Sequence, residues 1–409
     1  MNGRVDMPQS TAQDATAAAA TADRPSPTAT AGEPALIGLD WGTSSLRAYL
    51  FDRHGRTLAE RALGYGIMRL PPPPPPAASA GGTATATAAA LSPSGAAAPQ
   101  DADAFDRALD LACGDWRDAR PDLPLLACGM IGSAQGWREV PYVERPAGAA
   151  QLAAGLGQVT TARGTALHIV PGVIRRGALP NVMRGEETQI VGALHPDDAA
   201  LRLIGLPGTH AKWALVRAAR IDDFATFMTG EVFQVLSTHT ILGRTMTPSA
   251  TPATLDATAF LRGVDVAREQ SDAGMLSTIF TSRTLGLTGE LRADQQADYL
   301  SGLLIGHELA GLAAVLHAND AADVVRLGLT PSRPGIASAV AADTVLAGLA
   351  PTLIGDATLC ARYRLALSRF GCDAVALAPH AAEQGLWHIA TAAGLVPATA
   401  PLISNGSPS

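Results

Sequence analysis

The chain has 409 residues, 47% hydrophobic and 16% charged, with 30 basic against 37 acidic side chains and a formal charge of −7. At roughly 150 residues per domain this length allows two to three domains, with a core large enough to need no disulfide or metal staple. The acidic balance argues against a nucleic-acid or anionic-membrane binder, and no uninterrupted run of about 18 apolar residues announces a spanning helix.

Residues 1–33 are rich in Ala, Thr, Ser and Pro and carry no aromatic side chain; a disordered tail is expected, without the basic and apolar regions of a signal peptide. Ala35–Asp40 reads as a short apolar strand, 41–45 (WGTSS) as a turn of small residues, Leu46–Asp52 as a second strand, Asp52–Arg56 as a hairpin turn and Thr57–Gly64 as a third strand. Residues 71–100 open with six prolines and continue without a charged or aromatic side chain. That composition cannot build a core, and it is read as a surface insert within a first lobe spanning 34–195. The strand–turn–strand pattern returns at Leu201–Leu206, Pro207–His210 and Lys212–Val216, where LIGLDWGTSS and LIGLPGTHAK share LIGL followed by a Gly-Thr turn. MRGEETQ (183–189) and MTGEVFQ (228–234) form a second echo, each Gly-Glu expected to open a helix. Two matched motifs suggest two related α/β lobes, the second spanning 196–397. After Thr254 the chain reads as mainly helical, with an apolar helix over Gln295–His317, strands at Val324–Leu329, Thr352–Ile354 and Ala374–Ala378, and helices over Leu359–Phe370 and Ala381–Ala393. The last helix is counted with the second lobe, ahead of a frayed end at 398–409. The four cysteines (Cys113, Cys128, Cys360, Cys372) never form a CxxC pair, so a reduced, cytoplasmic protein is expected.

Four segments could carry chemistry. Asp40 closes a buried strand and is followed by Gly42, Thr43, Ser44 and Ser45. Such a turn can cradle phosphate oxygens on its N–H groups while the carboxylate holds hydrated Mg²⁺. An ordinary Asp-x-Gly turn between strands would carry the same residues, and neither a Walker A nor a GxGxxG pattern is present. The second turn, with Gly208, Thr209 and His210, offers the same donors and leads to Lys212, the single lysine among the 30 basic residues. Its ammonium is a compact point charge that a guanidinium cannot imitate. Facing the first turn, it would close a clamp on a triphosphate; the plain alternative is a tight turn with an exposed lysine. Glu186 and Glu187 either complement a helix dipole or provide a base for an attacking hydroxyl, with Arg184 pairing a carboxylate or phosphate. The loop over 129–137, with Ser133, Gln135 and Trp137, suits a polyol whose hydroxyls meet the polar groups and whose apolar face meets the indole; a glycine-rich loop with a half-buried Trp reads equally well. Scattered histidines form no zinc pattern, and no GxSxG elbow occurs.

Together these segments resemble the 2-dehydro-3-deoxygalactonokinase family of sugar-acid kinases. The likeness rests on IGLDWGTSSLRAYL, GMIGSAQGWREVPYVERPA, NVMRGEETQIVGA, LPGTHAKW, FATFMTGEVFQVL and LIGDATLCARYRLALSRFGCD, and spans roughly residues 35–395. It implies an α/β fold of two duplicated ribonuclease-H-like lobes, the actin-like ATPase fold, flanking an ATP cleft. By that resemblance Asp40 to Ser45 form a first phosphate motif, Gly208 to Lys212 a second, and Gly355 to Tyr363 the adenosine side, while Ser133, Gln135, Trp137 and Arg184 hold a sugar acid. It further implies ATP and Mg²⁺ as cofactors, the metal on Asp40, and transfer to the 6-hydroxyl of 2-dehydro-3-deoxy-D-galactonate in galactonate catabolism. The only partners implied are the small molecules, with no nucleic acid and no membrane, and a homodimer is allowed. The rivals are a same-fold phosphohydrolase acting on polyphosphate or nucleotide, and a non-catalytic sugar-acid sensor. One departure stands out: Pro207 occupies the place where this superfamily commonly carries aspartate, which leaves the metal to Asp40 and the phosphate to Lys212.

Overall fold

The computed structural model describes residues 32–73, 102–194, 201–247, 255–318 and 346–397. The expected strand at Val324–Leu329, the 398–409 end and nearly all of the 1–33 tail and the 71–100 insert lie outside them.

The first sheet is built from β1 (Pro34–Trp41), β2 (Leu46–Asp52), β3 (Thr57–Leu63), β4 (Leu125–Gly129), β6 (Gly157–Thr160) and β7 (Ala166–Ile169), in the order β3-β2-β1-β4-β7-β6. β1 runs antiparallel to β2 and parallel to β4. Leu36, Ile37 and Leu39 of β1 are fully buried, as a strand covered on both faces requires, whereas β3 at the edge is only partly covered. The hairpin at Asp52–Arg56 forms because the Asp52 carboxylate accepts the N–H groups of His54 and Arg56.

The second sheet repeats this plan. β10 (Arg202–Leu206), β11 (Ala211–Arg217), β12 (Arg220–Phe227), β13 (Thr352–Leu353) and β14 (Ala376–Leu377) follow the order β12-β11-β10-β13-β14. Again the first strand is antiparallel to its hairpin partner and parallel to the next. The five-strand order is therefore the same in both lobes, and the LIGL echo marks their equivalent first strands. This is the duplicated ribonuclease-H-like arrangement of the actin-like ATPase fold. A small sheet of β5 (Val143–Glu144), β8 (Val173–Arg175) and β9 (Asn181–Met183) joins the lobes, through the Ala147–Ile221 bridge and the Thr226 hydroxyl, which donates to Asn181 Oδ1 at 2.8 Å.

Helices cover the sheets: α1 (Ala102–Ala119), α2 (Ala149–Ala154) and α3 (Glu186–Gly192) in the first half, then α4 (Thr229–His239), α5 (Ala257–Glu269), α6 (Met275–Thr278), α7 (Thr281–Leu287), α8 (Gln296–Ala318), α9 (Ala357–Ser368) and α10 (Ala381–Ala392). Two findings differ from the sequence reading. The stretch Gln296–Leu316 of α8 is in fact long and apolar enough to cross a membrane by composition, but 67% of it is buried inside the fold, packed on α5 and under the second sheet. Its apolar face is wide because neighbours cover most of its circumference. The last helix, α10, does not complete the second lobe. It returns to the first, where Leu386 and Ile389 share a core with Leu36, Phe51 and Ile190, and where it packs on α3, β1 and β4.

Candidate functional site

The first turn leaves β1 at Asp40 and is closed by the Gly42 N–H donating to Ser45 O at 2.9 Å. The carbonyls of Gly42 and Thr43 accept from Ile67 and Met68, so the turn is pinned from behind while Thr43, Ser44 and Ser45 stand exposed. Asp40 lies between Arg47 on β2 and Cys128 on β4. The Cys128 thiol, held protonated by burial, lies 3.9 Å from Asp40 Oδ1. Burial raises the Asp40 carboxyl above its ordinary range; Arg47 opposes this, and the nearby charges of Glu383 and Glu186 add to it. Glu383 is a site residue the sequence reading did not single out. It sits in the first turn of α10, paired with His380, and its charge acts on Asp40 because that helix folds back onto the first lobe.

The two glutamates that open α3 have different surroundings. Gly185, at φ +106°, lies in a region that suits glycine and packs against the Gly129 backbone, which fixes the start of the helix. Glu187 then points inward: it is fully buried, its Oε2 accepts the Gly185 N–H at 2.7 Å, and its Oε1 accepts the Thr188 hydroxyl at 3.1 Å. Burial, assisted by the charge of Glu186, pushes its carboxyl up to about 8. Glu186 points to the opening and is partly exposed. One of its oxygens accepts the Arg184 backbone N–H at 3.0 Å, and the other pairs with Lys212 Nζ at 3.0 Å.

Lys212 is buried and also donates to the His210 carbonyl at 3.0 Å. The lone lysine is thus not an exposed point on the second turn. It spans from that turn in the second lobe to Glu186 in the first. The turn itself rests on the start of α4, where the Glu231 N–H donates to Thr209 O at 3.0 Å. A Cβ on Gly230 would lie 2.5 Å from Gly208 O, so only glycine permits this approach. His210 and Glu231 pair through their side chains at the rim. Gly208 and Thr209 open onto a cavity of about 730 Å³ that is also lined by Thr229, Gly230, Asp356 and Tyr363. Gly355, just before this stretch, lies against the carbonyl of Pro207. Tyr363 contributes a wall rather than a free hydroxyl: it is 2% exposed, and its OH donates to Glu308.

On the other side of Glu186 stands Arg184, 9% exposed. Its Nη2 donates to Val140 O at 2.7 Å and its guanidinium lies 4.4 Å over the Tyr142 ring, while Nε and Nη1 are buried without a partner. Buried donors of a charged group without acceptors are costly. The 129–137 loop lies against it, since a Cβ on Gly132 would fall 2.8 Å from Arg184 Nη1. Within that loop the Ser133 hydroxyl is engaged with Met130 O at 2.7 Å, and Gln135 is exposed. Trp137 departs from the expected sugar platform. Its ring stacks on Phe105 and meets Trp41 edge-on, as part of the first lobe's core.

Lys212 therefore ties Glu186 to the second turn, whose Gly208 and Thr209 line the cavity, while Asp40 feels the charge of Glu186 and Arg184 precedes that glutamate by two residues. No cluster of three His, Cys, Asp or Glu side chains able to chelate a metal exists among the described residues. Asp40 alone, crowded by like charges, suits a hydrated Mg²⁺ that takes most of its ligands from water and phosphate.

The sequence profile of the 2-keto-3-deoxy-galactonokinase family matches residues 40–328. The chain is 30% identical over 349 residues to the 2-dehydro-3-deoxygalactonokinase of Escherichia coli (strain K12), covering 85% of this chain and 94% of that protein. A Rhizobium meliloti (strain 1021) protein provisionally given the same name is 36% identical over 289 residues, covering 70% of this chain and 82% of its own. A crystal structure from Sinorhizobium meliloti, provisionally assigned the same activity, superposes with a TM-score of 0.66 at 29% identity, over 87% of this chain and 98% of that one.

Proposed function

The chain belongs to the 2-keto-3-deoxy-galactonokinase family, and on that premise we propose that it transfers the γ-phosphoryl group of ATP to the 6-hydroxyl of 2-dehydro-3-deoxy-D-galactonate. The observation that carries the substrate reading is Arg184. Its guanidinium is held by Val140 O and the Tyr142 ring a short step from Glu186, and the charge keeps two buried N–H groups, Nε and Nη1, without a protein acceptor, which suits it to a carboxylate.

In this reading the sugar acid binds with its carboxylate on Arg184 and its far hydroxyl toward Glu186. Glu186 orients that hydroxyl and accepts its proton, since it alone of the glutamate pair is reachable from the opening. Glu187 stays inside as a neutral partner of the α3 start. ATP lies in the 730 Å³ cavity with its adenosine toward Asp356 and Tyr363, and its phosphates run over the Gly208–Thr209 turn toward Thr43 and Ser44. Lys212, already at the seam, stabilises charge on the transferring group. Mg²⁺, held through water by Asp40, would neutralise phosphate charge. Closing the lobes over both substrates excludes the water that would otherwise take the phosphoryl group. We place the reaction in the cytoplasm, where ATP is supplied.

The test is ADP release with Mg-ATP and each of the two 2-keto-3-deoxy sugar acids, galactonate- and gluconate-derived, beside a no-sugar control. Release with the galactonate derivative alone supports reaction and specificity together. Equal release with both withdraws the substrate assignment. ATP breakdown that ignores sugar refutes the kinase reading.

A further inference from the structure

Glu308 stands in the apolar stretch LLIGHELAGL of α8, 3% exposed. Such a position costs free energy unless the carboxylate is fully hydrogen-bonded. Three donors meet it. Trp213 Nε1 donates to Oε1 at 2.6 Å, Tyr363 OH donates to Oε2 at 2.8 Å, and the Thr229 hydroxyl donates to Oε2 as well. All three are neutral, so no ion pair accounts for the acid, and a well-packed apolar side chain would fill the site at lower cost.

What the three donors share is the cavity beside the second turn. Thr229 and Tyr363 line it directly. Trp213 is the residue after Lys212 on β11, whose preceding turn supplies Gly208 and Thr209. Thr229 opens α4, the helix whose Gly230 and Glu231 contact the same turn. Val232, Phe233 and Leu236 of α4 pack, only partly covered, against Leu300 and Leu304 of α8, and no residue of the helix is fully buried, so the anchors in its first turn add to what decides where it lies.

We propose that Glu308 is a positioning residue for the nucleotide: one buried acceptor set fixes the start of α4, the strand behind the second turn and the adenosine-side helix α9 in a single relative geometry. This rests on the reading that the cavity takes ATP. Glu308 itself does not line the cavity and is not a catalytic residue. It acts through Thr229, Trp213 and Tyr363.

The experiment compares wild type with Glu308→Gln, Tyr363→Phe, Thr229→Val and Thr229→Ser, measuring ADP affinity by calorimetry, KM for ATP and for the sugar acid, kcat and the thermal midpoint. An amide keeps the shape but cannot accept from all three donors. Glu308→Gln should weaken ADP binding and raise KM for ATP by about tenfold, the scale of one charge-assisted hydrogen bond, with KM for the sugar acid within about twofold of wild type. Thr229→Ser, which keeps the hydroxyl, should behave as wild type where Thr229→Val does not. Tyr363→Phe added to Glu308→Gln should cost less than the sum of the two single changes, because both weaken one hydrogen-bond network. A lowered thermal midpoint with unchanged ADP affinity and unchanged KM for ATP would make Glu308 merely structural and overturn the proposal. If Glu308→Gln fails to fold, the Thr229 and Tyr363 variants decide on the same readouts. Should wild type bind no ADP, the nucleotide reading itself fails and takes the proposal with it. Equal ADP binding by wild type and Glu308→Gln defeats the Glu308 inference alone.

Discussion

Replacing Arg184 by methionine should move activity and stability in ways a structural arginine could not. The guanidinium makes one hydrogen bond, to Val140 O at 2.7 Å, and stacks on Tyr142, while Nε and Nη1 are buried without partners. Loss of the charged bond removes about 1.5–3 kcal/mol and loss of the stacking about 0.5–2 kcal/mol. Against that, removing two unsatisfied buried donors returns about 1–3 kcal/mol each. The two sides nearly cancel, so the stability of the free protein in urea unfolding should stay within about 2 kcal/mol of wild type. Catalysis has no such compensation. One charge-assisted hydrogen bond to a substrate carboxylate is worth roughly 1.5–3 kcal/mol, hence a fall of about 10–10² in kcat/KM at 1.4 kcal/mol per decade. Because the carboxylate lies at the far end of a six-carbon acid from the reacting hydroxyl, most of the loss should appear in KM for the sugar acid and little in KM for ATP. The coupled ADP-release assay gives both constants, and thermal shift with sugar acid in excess should show stabilisation in wild type only. A sugar-acid KM within threefold of wild type, together with a loss of more than about 4 kcal/mol in stability, would refute the assignment of Arg184 to the substrate.

Lys212→Met should lower kcat by at least about 10²-fold while leaving the fold intact, because the ammonium spans the seam to Glu186; turnover within a few-fold of wild type would remove the lysine from the mechanism. Glu186→Gln should abolish most turnover with sugar-acid binding retained, whereas Glu187→Gln should keep turnover within about tenfold, since only Glu186 reaches the opening; the reverse order would exchange their roles. The raised Glu187 carboxyl has a stability signature as well. Folded, it keeps its proton up to about pH 8, while unfolded it loses it near 4.5. Stability therefore falls as pH rises through that window, by at most about 1.4 kcal/mol per pH unit, and levels off above it. Urea unfolding at pH 5, 7 and 9 should show a slope that Glu187→Gln flattens, and equal slopes in both proteins would contradict the burial argument. Gly230→Ala should raise KM for ATP and destabilise the protein, because its methyl would meet Gly208 O at 2.5 Å; kinetics like those of wild type would mean that the second turn gives way freely.

The parts of this molecule that could be read from one sequence are those in which a backbone conformation dictates the residues. The two LIGL strands and their Gly-Thr turns recur because each lobe performs the same strand–turn–strand folding, and the strand orders agree with that duplication. The Gly-Glu echo has no such cause: α3 follows the last strands of the first lobe, whereas α4 follows the third strand of the second and starts before its Gly-Glu, at Thr229. Side chains whose role depends on distant chain were not legible in the same way. Glu186 and Glu187 are neighbours in a pattern either could serve; only the phase of α3, set by Gly185 against Gly129, sends one to the opening and the other inside. Trp137 had the composition of a sugar platform, but Phe105, on a helix 32 residues earlier, takes its face. Glu383 carries no motif at all, and its charge acts on Asp40 because α10 crosses back to the first lobe. Glu308 is the instructive intermediate. A lone carboxylate inside LLIGHELAGL is visible in the sequence as a physical anomaly, since a charge in an apolar helix needs partners to persist there. The anomaly implies that donors exist without naming them. Trp213, Thr229 and Tyr363 come from three other elements, and their convergence on one carboxylate beside the cavity is what turns an oddity of composition into a claim about nucleotide binding.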